Sequence, residues 1–123
     1  MALPTFEPDA EIRCRDYRIG CIGAGFIMAD VHLAAYADAG FEVAAIASRT
    51  EANARDVAKR WDIPVVHADP KALIEDAQVE VLDIAYPPHL EGELIAHAAG
   101  QSHIKGILAQ KPLAPTFVEA REI

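Results

Sequence analysis

At 123 residues, with 52% hydrophobic and 24% charged residues, the chain has the makings of one folded domain and excludes a disordered or fibrous polymer. The net charge of −8 excludes the basic face that a nucleic acid or an anionic membrane needs. No apolar run approaches the roughly 18 residues of a membrane span, and residues 1–8 show neither a basic nor an apolar leader segment, so the expectation is a soluble, cytoplasmic chain. Cys14 and Cys21 are the only cysteines and lack metal-ligand spacing, which suits a reducing compartment. The five histidines form no i, i+4 pair with an accompanying carboxylate, so no metal site is expected.

Residues 1–16 carry two prolines and mixed charge without periodicity and read as an extended arm before a unit spanning 17–123. That unit opens with a short apolar strand, Ile19–Ile22, followed at once by Gly23-Ala24-Gly25 and a segment of helical period. Ile27, Val31, Ala34 and Ala35 are the expected apolar stripe of this helix, and Gly40 closes it. A second strand covers 41–47. Thr50 reads as an N-cap, and Ala54, Val57, Ala58 and Trp61 recur at i, i+3, i+4, i+7. Then come a minimal strand at 63–66, a short helix opened by Asp69-Pro70, and a strand at 79–85 ended by Pro87-Pro88. Leu90, Leu94, Ile95 and Ala98 mark a helix stopped by Gly100, 104–109 is a fifth strand, and 114–123 begins a last helix. Strict alternation of apolar strands with helices predicts an α/β protein with a doubly wound parallel sheet covered on both faces.

In such a sheet a ligand lies at the carboxyl ends of the strands. Those ends read Gly23-Ala24-Gly25, Ser48-Arg49, Tyr86-Pro87-Pro88 and Gln110-Lys111-Pro112. A strand, two glycines and a helix N-terminus suit the pyrophosphate of a dinucleotide, because the backbone can approach closely and free N–H groups face the anion. The third small residue of the full motif is absent: Met28 stands there, and it should push the helix slightly away from the sheet. A carboxylate about 20 residues past the glycines would hold a free 2′-hydroxyl. Here Ser48, Arg49 and Thr50 occupy that point, and they can donate hydrogen bonds to a 2′-phosphate, so NADP is favoured over NAD. Alternatively, Arg49 is a solvated loop residue and Thr50 a plain cap. Lys111 leaves a buried strand toward the cleft and could hydrogen-bond a substrate hydroxyl, or it is an ordinary strand-end lysine. His89, after the proline pair, stands near the cleft mouth.

Taken in order, Tyr17 to Ile27, His32, Ala47-Ser48-Arg49-Thr50, Ala85-Tyr86-Pro87-Pro88 and Gln110-Lys111-Pro112-Leu113-Ala114 resemble the landmarks of the Gfo/Idh/MocA oxidoreductases. The resemblance implies a Rossmann domain binding NADP or NAD, in a family whose members oxidise or reduce sugars, cyclitols and related polyols. It implies that Gly23, Gly25, Phe26 and Ile27 hold the pyrophosphate and that Ser48, Arg49 and Thr50 hold the adenosine ribose. Tyr86, Pro87, Pro88 and Gln110 would line the nicotinamide end, with Lys111 as the catalytic group on the reacting hydroxyl and Lys111–Pro112 as a cis bond. Three departures bear on the substrate. Gln110 replaces the family's glutamate, Glu91 stands where many members have histidine, and residues 101–106 form a longer link than usual.

The resemblance also implies a sixth strand and a second, mainly antiparallel domain that closes the cleft and builds a homo-oligomer interface. Neither is visible in 123 residues. The expectation is therefore a five-stranded fragment whose last strand is an exposed edge, which binds cofactor without turnover and tends to self-associate. The other reading is a stand-alone nucleotide-binding module that senses cofactor or assembles with a partner.

Overall fold

The computed structural model describes all of residues 1–123. Residues 1–16 carry no helix or strand. Five parallel strands follow, β1 (Ile19–Ile22), β2 (Val43–Ala47), β3 (Val65–Val66), β4 (Val81–Ile84) and β5 (Gly106–Ala109), in the spatial order β3-β2-β1-β4-β5. β1 is central and paired on both sides, which is why all four of its residues are buried and its sequence shows no polar alternation. The strands are shorter than the apolar runs that announce them, because Phe41, Ile63, Val79 and Ile104 pack at the approach to a strand without joining its ladder.

Helices cover both faces. The helix after β1 runs as a π-helical segment (Ile27–His32) into α1 (Leu33–Ala39), and α2 (Glu51–Trp61) lies on the same face. On the other face lie α3 (Pro70–Glu75) and α4 (Pro88–Ala99), while α5 (Phe117–Glu122) follows β5 with no residue buried. Each face has its own core. Ile19, Met28, Leu33, Ile46, Val57 and Ile63 form one, and Ile22, Leu73, Ile74, Val79, Leu82, Ile84 and Leu94 form the other. Gly20 lets the second core close on β1, since a Cβ there would stand 2.7 Å from Val79 and 2.8 Å from Leu73.

The first helix corrects one expectation. Ile27 and Val31 are exposed, and the buried positions are Met28, Ala29 and Leu33. Met28 is fully buried in the core between this helix and the sheet. The Leu33 N–H donates to the Met28 carbonyl five residues back, and this widened π turn shifts the inward face from the phase that a regular helix predicts. The α2 stripe follows expectation through Ala54, Val57 and Ala58, and the Trp61 indole donates to the Ala29 carbonyl at 2.8 Å. Thr50 occupies the N-cap of α2 without a side-chain cap bond, whereas Asp69 caps α3 by accepting from the Ala72 N–H at 2.9 Å. Gly40 ends α1 at φ +77, where a left-handed residue is required.

Candidate functional site

Backbone hydrogen bonds continue the sheet one residue past its carboxyl edge. The Gly23 N–H donates to Ala47 O (2.8 Å), Ala85 to Ile22 O (2.9 Å) and Gln110 to Ile84 O (2.8 Å). The glycine turn, the Ala85-Tyr86 turn and Gln110 therefore form one level floor at the point where the strand order reverses, β1 beside β4.

The two glycines do different work. Gly23 sits at φ +113, and a Cβ there would lie 2.1 Å from the Ala85 carbonyl oxygen, so the protein itself demands glycine. Gly25 has a conformation open to other residues, and no protein atom lies within 4 Å of the position its Cβ would take. Nothing in the chain requires glycine there. Open backbone at the start of a helix whose first N–H groups have no intrahelical acceptor is what an anionic ligand in close approach would use.

Two hollows meet over Gly25. A 250 Å³ hollow is lined by Gly23, Ala24, Gly25, Ser48, Arg49, Thr50, Asn53, Ala85, Tyr86 and Pro87. A 280 Å³ hollow is lined by Gly25, Phe26, Ile27, Met28, Ala85, Tyr86, Gln110 and Lys111. They share Gly25, Ala85 and Tyr86, so one groove runs from the end of β2 to the end of β5. Pro88 and His89 are not brought to it. They border a separate hollow against α5, because Pro88 is the first residue of α4 and turns away from the sheet edge. Asn53, one turn into α2, lines the groove and carried no signal in the sequence beyond its place on the helix.

At the β2 end, Ser48 is buried and its hydroxyl is committed to the loop, donating to Thr50 O (2.6 Å) and accepting from the Thr50 N–H (3.2 Å). Arg49 is exposed and makes no ion pair. Glu51, the first carboxylate past β2, is bound by Arg55 one turn along α2. Burial pushes the Tyr86 phenol up, and the Arg49 charge partly offsets this. Beneath the Tyr86 turn, Glu91 is almost fully buried and accepts from the Tyr86 N–H at 3.2 Å. Burial raises its carboxyl above the usual glutamate range, the Tyr86 N–H works against that rise, and Oε2 has no partner.

At the β5 end lies a cluster of side chains far apart in the sequence. Asp83, read as part of an apolar strand, has no exposed surface and accepts from the Tyr36 hydroxyl (2.6 Å) and from His32 Nδ1 (2.8 Å). His32 Nε2 lies 3.1 Å from Gln110 Nε2, and Gln110 Oε1 accepts the Lys111 N–H at 2.7 Å. Burial, then the bond to Asp83, raises the Tyr36 phenol well above its ordinary range, and burial likewise pushes up the Cys21 thiol beside Asp83. Cys21 is thus a core residue rather than a nucleophile. Lys111–Pro112 is a cis bond, as the resemblance implied. A charged residue inside an apolar strand was the available signal for this cluster, since a buried Asp needs donors. No group of three or more potential ligands for a metal ion occurs, and no helix is long and apolar enough to cross a membrane.

The parallel sheet in this order, with a glycine turn at its switch point, defines a Rossmann-like dinucleotide-binding architecture. Residues 17–123 match the family model described as an oxidoreductase family with an NAD-binding Rossmann fold, and the chain belongs to the Gfo/Idh/MocA oxidoreductases. It is 36% identical over 108 residues to inositol 2-dehydrogenase 1 of Saccharopolyspora erythraea, covering 86% of this chain and 32% of that protein. The structure of a levoglucosan dehydrogenase in complex with NADH and levoglucosan superposes with TM-score 0.77 at 32% identity, over 85% of this chain and 30% of that one. A 3-ketoreductase from Actinomadura kijaniata in complex with TDP-benzene and NADP gives TM-score 0.70 at 32% identity, over 86% and 35%. The chain thus spans about a third of the length of the relatives it matches.

Proposed function

We propose that this chain is the cofactor domain, with residues 17–123 as its folded unit, of an enzyme that transfers hydride between NADP(H) and a hydroxyl carbon of a sugar or cyclitol. The observation that carries the reading is the continuous groove from Arg49 across open Gly25 to Lys111. The backbone at Gly25, Phe26 and Ile27 would hold the pyrophosphate, and Gly23 would keep the turn beneath it in shape. Arg49, free of any carboxylate, and the Thr50 hydroxyl would hold a 2′-phosphate on the loop that Ser48 braces, while Glu51 is neutralised by Arg55. Relatives bound to NADH and to NADP support a nicotinamide cofactor at this groove, and the free Arg49 favours the phosphorylated one.

The nicotinamide, when bound, accepts or donates the hydride. The chain's own contribution lies at the other end of the groove, where Gln110 and Lys111 border it. The Lys111 ammonium would hydrogen-bond the substrate oxygen, orient the carbon that carries the hydride and stabilise charge on that oxygen as its proton leaves. Tyr86 and Pro87 would exclude water from the middle of the groove. A homo-oligomer is part of this reading, supported by apolar residues left exposed on β5 and α5, namely Leu108, Phe117 and Val118.

Thermal melting of the chain with NADPH, with NADH and with neither tests the assignment. NADPH is expected to raise the midpoint more than NADH. No shift with either would overturn the cofactor reading, and a larger shift with NADH would overturn the role given to Arg49.

A further inference from the structure

The side chains of Asp83, His32 and Gln110 form a continuous path from the middle of β4 to the Lys111 backbone. Its polarity can be read from one end. The Lys111 N–H is a donor, so the Gln110 oxygen faces it and the Gln110 NH2 faces His32. An NH2 group can only donate, so His32 Nε2 must accept. The imidazole proton then sits on Nδ1 and is given to Asp83 Oδ2 at 2.8 Å, where the Tyr36 hydroxyl donates as well. Every group on the path has a defined direction. The titratable groups around His32 are Asp83 on β4, Tyr36 on α1 and, behind Asp83, Cys21 on β1.

We propose that Asp83 and His32 are positioning residues for Lys111: they lock a neutral, Nδ1-protonated imidazole that fixes the Gln110 amide, which in turn holds the Lys111 backbone at the end of the groove. Gln110 is then matched to its partner. A glutamate at 110 would present an acceptor to His32 Nε2, and the imidazole could satisfy both carboxylates only as the imidazolium. Glutamine keeps that charge out of the space behind Lys111, and the ammonium of Lys111 faces the substrate beside a neutral network. Three short links thereby connect the sheet interior to a residue that is itself exposed. The consequence for catalysis rests on the role proposed for Lys111 above; the network itself does not.

Nitrogen-15 NMR of the histidine side chains in the full chain, without dinucleotide, tests the network directly. At neutral pH, His32 is expected to show a protonated Nδ1 and an unprotonated Nε2, and in Gln110→Glu both nitrogens are expected to be protonated. Hydrogen exchange at the Lys111 amide is expected to become on the order of tenfold faster in His32→Ala, with Leu82 and Ile84 amides unchanged as the control for folding. A proton on Nε2 in the native chain, a neutral His32 in Gln110→Glu, or unchanged Lys111 exchange in His32→Ala would each overturn the proposal. Gln110 is at the groove surface, so Gln110→Glu reports even if His32→Ala fails to fold. Because none of these readouts involves dinucleotide, a chain that shows them but ignores NADPH would refute the cofactor reading alone.

Discussion

The two buried carboxylates, each with one oxygen left without a partner, differ in what holds the other oxygen. On the α1 and α2 face, Asp83 sits among Cys21, His32 and Tyr36 and receives two side-chain hydrogen bonds. On the α3 and α4 face the core is wholly apolar, and the one buried charge, Glu91, lies above it with a single backbone N–H. β4 serves both, turning Leu82 and Ile84 to the apolar core and Asp83 to the polar side. Both faces carry an apolar core, and the first also carries a polar network that reaches the groove.

The largest losses are expected from the apolar cores, as on the α3 and α4 face. Leu73 and Leu82 are completely buried there, and Leu73→Ala or Leu82→Ala is expected to cost about 3 kcal/mol through lost burial and the cavity left behind, read as a lower urea midpoint. An effect under about 1 kcal/mol would show that this core is loosely packed. Asp83→Ala comes next. It leaves the Tyr36 hydroxyl and the His32 N–H without an acceptor, for about 2 kcal/mol, whereas Asp83→Asn keeps an oxygen for both, at the cost of an NH2 where Oδ1 is buried without a partner, and should lose less. Equal losses for Ala and Asn would mean that Asp83 acts through its charge and not as a shared acceptor.

Gly25→Ala separates groove from scaffold. No protein atom opposes the new methyl, so stability should stay within about 0.5 kcal/mol, while the affinity for NADPH falls on the order of tenfold or more by titration. Gly23→Ala is the contrasting change, destabilising by about 3 kcal/mol because the left-handed backbone and the Ala85 carbonyl both forbid a side chain. Equal behaviour of the two alanines would end the distinction between a glycine the fold needs and one a ligand needs.

The difference between the faces also explains what could be read from the sequence. The strands and the groove ends follow from apolar runs, glycines and the proline pair, which are local signals, whereas the cis bond at Lys111–Pro112 was implied only by the family resemblance. The α2 stripe was legible for the same reason, since 100° per residue held throughout. It failed for the first helix because the π turn at Met28 changes the count, and no local propensity announces that turn. The path from Asp83 to Lys111 was illegible for another reason. Its members lie at 32, 83 and 110, joined only by the pairing of β4 with β5 and the packing of the first helix on the sheet.

The smallest expected effect sharpens the comparison most. Burial raises the Glu91 carboxyl above its unfolded value, so the stability this residue permits is complete below the unfolded pKa and is lost as pH rises through the higher folded one. The chain should therefore lose stability across that window on account of Glu91 alone. Gln at this position keeps an oxygen for the Tyr86 N–H and removes the buried charge, so Glu91→Gln should flatten the pH dependence of the urea midpoint above the ordinary glutamate range. Asp83→Asn must behave otherwise at neutral pH, because Asp83 Oδ2 holds two donors and the new NH2 would take the place of the buried Oδ1, where no acceptor stands. Stabilisation by Glu91→Gln together with destabilisation by Asp83→Asn is the expected pair of signs. Were both variants stabilising, the polar network on the first face would be a burden like Glu91, and its role in holding Lys111 would be the sole reason for its cost.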